Sequence, residues 1–324
     1  MVQAIVVEET GGPEVMKWTE VEVATPGPGE ALVRHKAVGL NFIDTYFRSG
    51  LYPAPQLPFS PGNEGSGDVI AIGEGVTEVA VGDRVAYAAT IGAYAEERVI
   101  AADRLVKIPD SISYETGAAM MLKGMTAQYL LRRTFRVEKG QTILFHAAAG
   151  GVGLIACQWA NHLGATVIGT VGSAEKGELA RAHGAHHVIN YRTESFVDRV
   201  KELTGGEGVD VVYDSVGKDT YPGSLDCLKP LGMWVPFGQS SGPIGPIDLA
   251  ILSQKGSLFT TRPTLFTYVA KRDDLVATAN ELIDVIEKGV VKIEINQTYP
   301  LKDAVRAHQD LEGRKTTGTT ILVP

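Results

Sequence analysis

Residues 142–171 read TILFHAAAGGVGLIACQWANHLGATVIGTV. A short apolar run enters a cluster of glycines, an apolar helical stretch follows, and a β-branched run closes the segment. Strand, glycine turn, helix and strand in that order form a right-handed βαβ unit, which commits the region to a parallel sheet. No Asp, Glu, Lys or Arg lies between Gln141 and Ala174, a length that raises the question of a membrane span. Asn161, His146 and His162 interrupt it, however, and Gly150, Gly151 and Gly153 break it in the middle. Strands covered on both faces account for the missing charge better. The alternation then continues through HHVINY, VDVVYDS, GMWVPFG and SLFTTR, with helical patterns between the first five strands. Gly164 and Gly184 fall where helices end, as glycines commonly do.

The first 110 or so residues have another texture. MKWTEVEVA, EALVRHKAVGL, GDVIAIG, GDRVAYA and ERVIAADRLVKIP are short strand patterns between Gly/Pro turns. NFIDTYFRSG is the exception, a short helix ending at Gly50. PGNEGSG, at 61–67, sets Asn63 and Glu64 among three glycines and suggests a tight turn near a ligand. From Ser113 a long apolar helix follows, with Gly124 as a possible break. The tail carries two amphipathic helices, and its final TTILVP can pair back onto the first region.

Composition removes several classes of function. Thirty basic against 38 acidic residues give a net charge of −8, without the basic footprint that nucleic-acid binding wants. Cys157 and Cys227 match no zinc spacing and suit a reducing, cytoplasmic compartment. The start, MVQAIVVEET, has no basic segment followed by an apolar run, so no signal peptide is expected.

Against the dinucleotide pattern G-x-G-x-x-G, the turn reads Ala148-Ala149-Gly150-Gly151-Val152-Gly153, with Ala in the first glycine place. Gly150 lets backbone approach a pyrophosphate, Gly153 lets helix and strand pack closely, and the helix N-terminus faces the phosphates. An NAD site wants a carboxylate at the end of the second strand. Here that end is Gly169-Thr170-Val171-Gly172-Ser173, with no acid before Glu175. Lys176 in the first turn of the next helix opposes the helix dipole unless a 2′-phosphate sits there. Ser173 and Tyr191 can reach the same place. The pattern therefore calls for NADPH rather than NADH.

Taken together, NFIDTYFRSGLYP, PGNEGSGDV, GDRVAY, HAAAGGVGLIACQWA, YDSVG, FGQSSG and RPTLFTY resemble the quinone oxidoreductase (zeta-crystallin-like) branch of the medium-chain dehydrogenase/reductases, along essentially the whole chain. The resemblance implies an α/β protein: a GroES-like β-barrel catalytic domain at 1–122, a Rossmann domain with a doubly wound six-stranded parallel sheet at 123–264, and a return to the catalytic domain at 265–324. It also implies an NADPH:quinone reductase that works without zinc. Zinc-dependent relatives hold metal with a Cys, a His–Glu pair and a second Cys; here Asn41 stands in the first Cys place and Asn63 in the His place, beside Glu64. Amides are poor zinc ligands compared with thiolate and imidazole. Without a Lewis acid, alcohol chemistry is hard, whereas a quinone accepts electrons readily and needs chiefly to be held against the nicotinamide.

By the same resemblance, Asn41 and Tyr46 face the nicotinamide, and Tyr52 matches a tyrosine that donates a proton in related enoyl reductases. Thr126, Val216, Gly217, Phe237, Gly238, Ser241 and Arg314 resemble cofactor contacts. A homodimer paired through the edge strand Ser257–Arg262 is implied as well. The same-class alternative is an enone or alkenal double-bond reductase that uses Tyr52. The alternative from another class is a crystallin-like or single-stranded RNA-binding protein, which the net charge argues against. GQSSG fits G-x-S-x-G, but Pro243 and Pro246 spoil the helix a hydrolase needs there. His183, His186 and His187 straddle a helix end and a strand start, a poor arrangement for a metal site.

Overall fold

A computed structural model describes all 324 residues of the chain. In order, the elements of the first stretch are β1 (Val2–Val7), β2 (Met16–Val21), β3 (Glu30–Leu40), α1 (Phe42–Ser49), β4 (Glu64–Ile72), β5 (Arg84–Ala88), β6 (Glu97–Ala101), β7 (Val106–Lys107) and α2 (Tyr114–Tyr129). There follow β8 (Thr142–Phe145), α3 (Gly151–His162), β9 (Thr166–Val171), α4 (Ala174–Ala182), β10 (His187–Asn190), α5 (Phe196–Leu203), β11 (Val209–Asp214), α6 (Gly223–Asp226) and β12 (Leu228–Pro236). The last are α7 (Ala250–Gln254), β13 (Phe259–Thr260), α8 (Leu265–Tyr268), α9 (Arg272–Glu287), β14 (Ile295–Pro300), α10 (Ala304–Glu312) and β15 (Thr319–Val323). The chain divides into two compact units, one made of 1–125, 269–280 and 293–324, the other of 126–268 and 281–292.

The second unit is built on the parallel sheet that the alternation calls for. Its six strands run in the order β10-β9-β8-β11-β12-β13, all parallel. The order reverses at β8, with β9 and β10 to one side and β11 to the other. In such sheets ligands bind outside the carboxyl ends of the strands at the reversal point. Leu144, Ile168, Val212 and Trp234 belong to a buried apolar cluster that seats α5 and α6 on the sheet. Burial on both faces explains why these strands read as unbroken apolar runs. The connection between β11 and β12 holds only the four-residue α6, shorter than the helical pattern suggests. Polar side chains from this connection are drawn back onto the end of β11, as described below.

In the first unit, β3 is the spine. Its eleven residues pair antiparallel with β4 along one edge, and on the other edge first with β6 and then with β15. The tail thus joins the N-terminal sheet through Thr320↔Leu40, Ile321↔Gly39 and Leu322↔Val38. The strand path runs β14-β15-β3-β4-β5-β7, with β6 beside β3. Val33, Val38, Val69, Val85 and Leu322 share one buried cluster with Leu301 and Ala307, so the sheet and the C-terminal helix close over the same core.

Two local expectations change. Gly62 has a left-handed φ of 88°, but β4 already begins at Glu64, so the second half of PGNEGSG is strand rather than turn. Gly124 does not break α2, which runs on to Tyr129 before a π turn at Leu130–Thr134. Its neighbours Lys123 and Met125 are both buried, and packing holds the helix where propensity alone would weaken it. Both cysteines are buried and unpaired. No helix is long and apolar enough to cross a membrane.

Candidate active site

In the second unit the glycine turn lies at the carboxyl end of β8, at the reversal point. Gly150 is the N-cap of α3, with an ordinary φ of −84°. The left-handed residue of this turn is Ala147, at φ 54°. A Cβ on Gly153 would lie 2.5 Å from the Ala147 carbonyl oxygen and 2.6 Å from that of Ala148, so only glycine lets α3 sit this close to the strand end. A Cβ on Gly150 would meet nothing but the Ala147 oxygen, at 3.2 Å, and its outer side is open to a ligand. The first N–H groups of α3, at Gly151, Val152 and Gly153, have no intrahelical acceptors, and no side chain caps them.

Ser173, Lys176 and Tyr191 gather at the carboxyl ends of β9 and β10. Ser173 caps α4, its Oγ accepting from Lys176 N at 3.3 Å, which puts Lys176 in the first turn of the helix. The Tyr191 hydroxyl stands over Gly172, 2.6 Å from where a Cβ there would be, and Arg192 Nε is 3.7 Å from the same point. The strand end itself carries no carboxylate. These residues fit an anionic group better than a ribose diol.

Further along the sheet, Asp214 at the end of β11 is the hub of a buried knot. Its carboxylate accepts from Val216 N (2.9 Å), Gly217 N (3.1 Å), Thr220 Oγ1 (2.7 Å), Ser224 Oγ (2.9 Å) and Trp234 Nε1 (3.3 Å). Ser224 also meets His146 Nε2 at 3.1 Å, and His146 Nδ1 meets Thr170 Oγ1 at 2.9 Å. Burial pushes the Asp214 carboxyl up, but His146 and this ring of donors outweigh it and hold it below the usual range. The knot fixes the loop bearing Val216 and Gly217. Ser241 joins it, with both its N (2.9 Å) and its Oγ (2.8 Å) donating to Val216 O. Gly238 N reaches Asp214 O at 3.2 Å, and the Phe237 ring lies 5.8 Å from that of Phe145. Val216, Gly217, Phe237, Gly238 and Ser241 therefore form one cluster, next to the glycine turn in the sheet. Thr126 belongs to this unit and is buried in the second half of α2.

In the first unit, Asn41, Tyr46 and Tyr52 come together. Asn41 is the N-cap of α1 and is buried. Tyr46, on that helix, has its ring 5.1 Å from Tyr52 in an edge-on contact, and Tyr52 N donates to Tyr46 O at 3.0 Å. Arg314 lies apart from these three in sequence, just past α10, at a left-handed φ of 58°. Glu64 is fully buried and accepts from Asn41 Nδ2 (2.8 Å), Lys123 Nζ (2.9 Å) and Leu122 N (2.8 Å). Gly39 makes room for it, since a Cβ there would lie 2.3 Å from Glu64 Oε2. Asn63 turns its Nδ2 away, to Ala89 O at 2.8 Å.

Residues 27–110 match the family model of the alcohol dehydrogenase GroES-like domain, and residues 151–283 that of zinc-binding dehydrogenase. The quinone oxidoreductase of Pseudomonas aeruginosa is 57% identical over 315 residues, covering 97% of each chain. The chain belongs to the quinone oxidoreductase branch of the medium-chain dehydrogenase/reductases. The crystal structure of Escherichia coli quinone oxidoreductase complexed with NADPH is 51% identical, covers 99% of this chain and 100% of that one, and superposes with a TM-score of 0.98. A 2-haloacrylate reductase from Burkholderia is 46% identical over 332 residues, covering 100% of this chain and 99% of its own.

One of the matching models is named for zinc, and the donors here do not fit that ion. Where a thiolate and an imidazole would be wanted, the chain has the amides of Asn41 and Asn63. The carboxylate between them is already engaged by a buried ammonium. Asn63 Oδ1 is buried without a partner, but a lone amide oxygen is a hard, neutral donor. Nowhere do three or more His, Cys, Asp or Glu side chains gather in a set able to hold a metal. His183 Nδ1 faces Leu179 O (2.8 Å), and His186 Nδ1 accepts from Val167 N (3.0 Å).

Sequence reasoning missed Lys123, Asp44 and Arg192. Lys123 carries the only charge between Glu115 and Arg132, a cue that it is held for a purpose. Asp44 stands three places after a helix N-cap, the spacing of a capping box. Arg192 simply follows Tyr191, and nothing but that adjacency marks it.

Proposed function

We propose that the chain is an NADPH-dependent quinone reductase that passes reducing equivalents from nicotinamide to a quinone without a metal ion. The observation that carries this reading is the Glu64 cluster: the carboxylate is neutralised by Lys123 and bonded to Asn41, leaving a site that can orient an acceptor but cannot polarise it as a divalent cation does. NADPH, when bound, supplies hydride. The N–H groups at Gly151, Val152 and Gly153 hold its diphosphate, which the bare backbone of Gly150 lets come close, and Ser173, Lys176 and Tyr191 hold the 2′-phosphate, joined by Arg192. Val216, Gly217, Phe237, Gly238 and Ser241 line the cofactor's path along the sheet, and Thr126 and Arg314 bind it as well. Asn41 and Tyr46 orient the nicotinamide, and Tyr52, braced on Tyr46, meets the acceptor.

A second reading, reduction of an activated carbon–carbon double bond, is favoured by the Tyr46–Tyr52 pair and by the likeness to a 2-haloacrylate reductase. It requires a proton at the adjacent carbon, which Tyr52 would hold. The exposed β13, with Phe259 at its edge, is suited to pair with a second copy of the chain; a monomer in sedimentation at micromolar concentration would refute that pairing. Two buried thiols without a disulfide accord with a cytoplasmic protein, and localisation of a tagged chain outside that compartment would refute this.

The deciding assay follows the absorbance of NADPH and NADH with a 1,4-quinone and with an enone, both with chelator present. We expect quinone-dependent oxidation of NADPH that chelation leaves intact. Lys176→Ala should raise the KM for NADPH by about tenfold and leave that for NADH unchanged. Loss of activity to the chelator, or equal use of the two cofactors, refutes the reading. Tyr52→Phe separates the two acceptors, sparing a quinone and crippling an enone.

A further inference from the structure

A chain of hydrogen bonds crosses the interior of the first unit and ends at the turn that carries Asn41. It starts at Glu312 on α10, whose carboxylate takes two bonds from Arg48 on α1, at 2.8 and 2.9 Å. Arg48 Nη1 also meets His308 Nδ1 at 3.0 Å. His308 Nε2 lies 3.1 Å from the Tyr94 hydroxyl, and that hydroxyl lies 3.0 Å from Asp44 Oδ2. The same Asp44 oxygen accepts from Asn41 N at 2.8 Å.

The direction of every bond follows from chemistry. A guanidinium can only donate, so His308 Nδ1 accepts and the ring carries its proton on Nε2. That N–H donates to the Tyr94 oxygen, which leaves the tyrosine proton for Asp44. Burial, reinforced by Arg48, pushes His308 down to about 3, so the neutral ring the chain needs is the form present. Asp44 is the receiving end, fully buried, and its other oxygen, Oδ1, has no hydrogen-bond partner.

Charge is unevenly shared along this path. Lys123 is paired with Glu64, and Arg48 with Glu312. Asp44 has no cation of its own: Tyr94 reaches it as a neutral group with neutral His308 behind, and Glu64 opposes it while Lys123 helps. Burial is the main reason its carboxyl is pushed up to about 7; the bonds from Asn41 and Tyr94 pull the other way.

We propose that Asp44 is a positioning residue for the Asn41–Tyr46 turn, its charge setting how firmly the Arg48–His308–Tyr94 chain holds that turn in place. When ionised, Asp44 takes charge-assisted bonds from Asn41 N–H and the Tyr94 hydroxyl and complements the N-terminus of α1. When protonated, the same bonds are weaker and the turn loosens. The role rests on the reading of Asn41 and Tyr46 as cofactor residues, and it adds a group that touches neither cofactor nor acceptor.

Two measurements on the full chain test it. In the 15N spectrum of the cofactor-free protein, the Asn41 amide should titrate with a midpoint near neutral pH. Asp44→Asn should abolish that titration, and Tyr94→Phe should move it to higher pH. At saturating NADPH and quinone, kcat of the wild type should rise about three- to tenfold through the same pH range, and Asp44→Asn should stay at the low-pH value throughout. An Asn41 amide that does not titrate, or one that titrates alike in Asp44→Asn, overturns the proposal whether or not the chain reduces a quinone. A normal amide titration in a chain that oxidises NADPH with no acceptor would instead overturn the functional reading and leave the hydrogen-bond coupling standing.

Discussion

Two buried aspartates serve their units in opposite ways. Asp214 closes the end of β11 and is surrounded by donors, two from backbone and three from side chains. Asp44 opens α1, and one of its oxygens is bare. Both are fully buried. One carboxyl lies below its ordinary value and the other far above it, so burial alone decides nothing; His146 and the ring of donors about Asp214 outweigh it, and the fewer donors at Asp44 do not. A carboxylate ringed by donors is a fixture. One held at a single oxygen by a backbone N–H and a tyrosine hydroxyl is close to changing state near neutral pH.

The largest effect that could break the contrast is the removal of the fixture. Asp214→Ala leaves five donors buried without their acceptor, and we expect a loss of about 3–5 kcal/mol in chemical denaturation. A loss below about 1 kcal/mol would mean the knot is dispensable. Next, Lys123→Met strips the cation from Glu64 and leaves a buried carboxylate with only Asn41 and Leu122. A loss of about 3 kcal/mol is expected near neutral pH, smaller in Lys123→Met/Glu64→Gln, which removes both charges. An equal loss in the double variant would show that packing, not charge, is at stake.

The smallest effect carries a sign that distinguishes the aspartates. The folded chain holds a proton on Asp44 more tightly than the unfolded chain does, so its contribution to stability is complete below about pH 4 and is lost as pH rises through about 7. Asp214 works the other way: its contribution is present above the ordinary carboxylate range and is lost as pH falls through its depressed value. Asp44→Asn should therefore gain about 2 kcal/mol on wild type between about pH 5.5 and pH 7.5, read as the change in the difference between their unfolding free energies. Asp214→Asn should differ from wild type by a constant amount above the ordinary carboxylate range and gain on it only as pH falls below about 4. Parallel curves would erase the distinction.

The parallel sheet was legible because its signal is periodic and local. Five apolar strands, the helical patterns and the glycine stops announce themselves within a few residues of one another, and the turn at Gly150 lies where its flanking strand and helix demand. PGNEGSG misled because glycine has two uses. Gly65 and Gly67 are not there to turn the chain: Cβ atoms on them would strike the Tyr87 ring and the Arg34 carbonyl, so they let β4 lie close to its neighbours. The polar interior was not legible for a different reason. Glu64 and Lys123 lie 59 residues apart, and Tyr94 and His308 lie 214 apart. No period links them. Only the solitary charge at Lys123 and the capping distance from Asn41 to Asp44 left traces in the sequence, and neither trace names a partner.

The two cysteines take on another meaning beside a quinone. Quinones are electrophiles that alkylate thiolates, and a catalyst turning them over meets them continually. Burial pushes the thiols of both Cys157 and Cys227 up to about 12, so almost no nucleophilic sulfur is offered at neutral pH. The chain is built to resist covalent poisoning by the compounds it is proposed to consume.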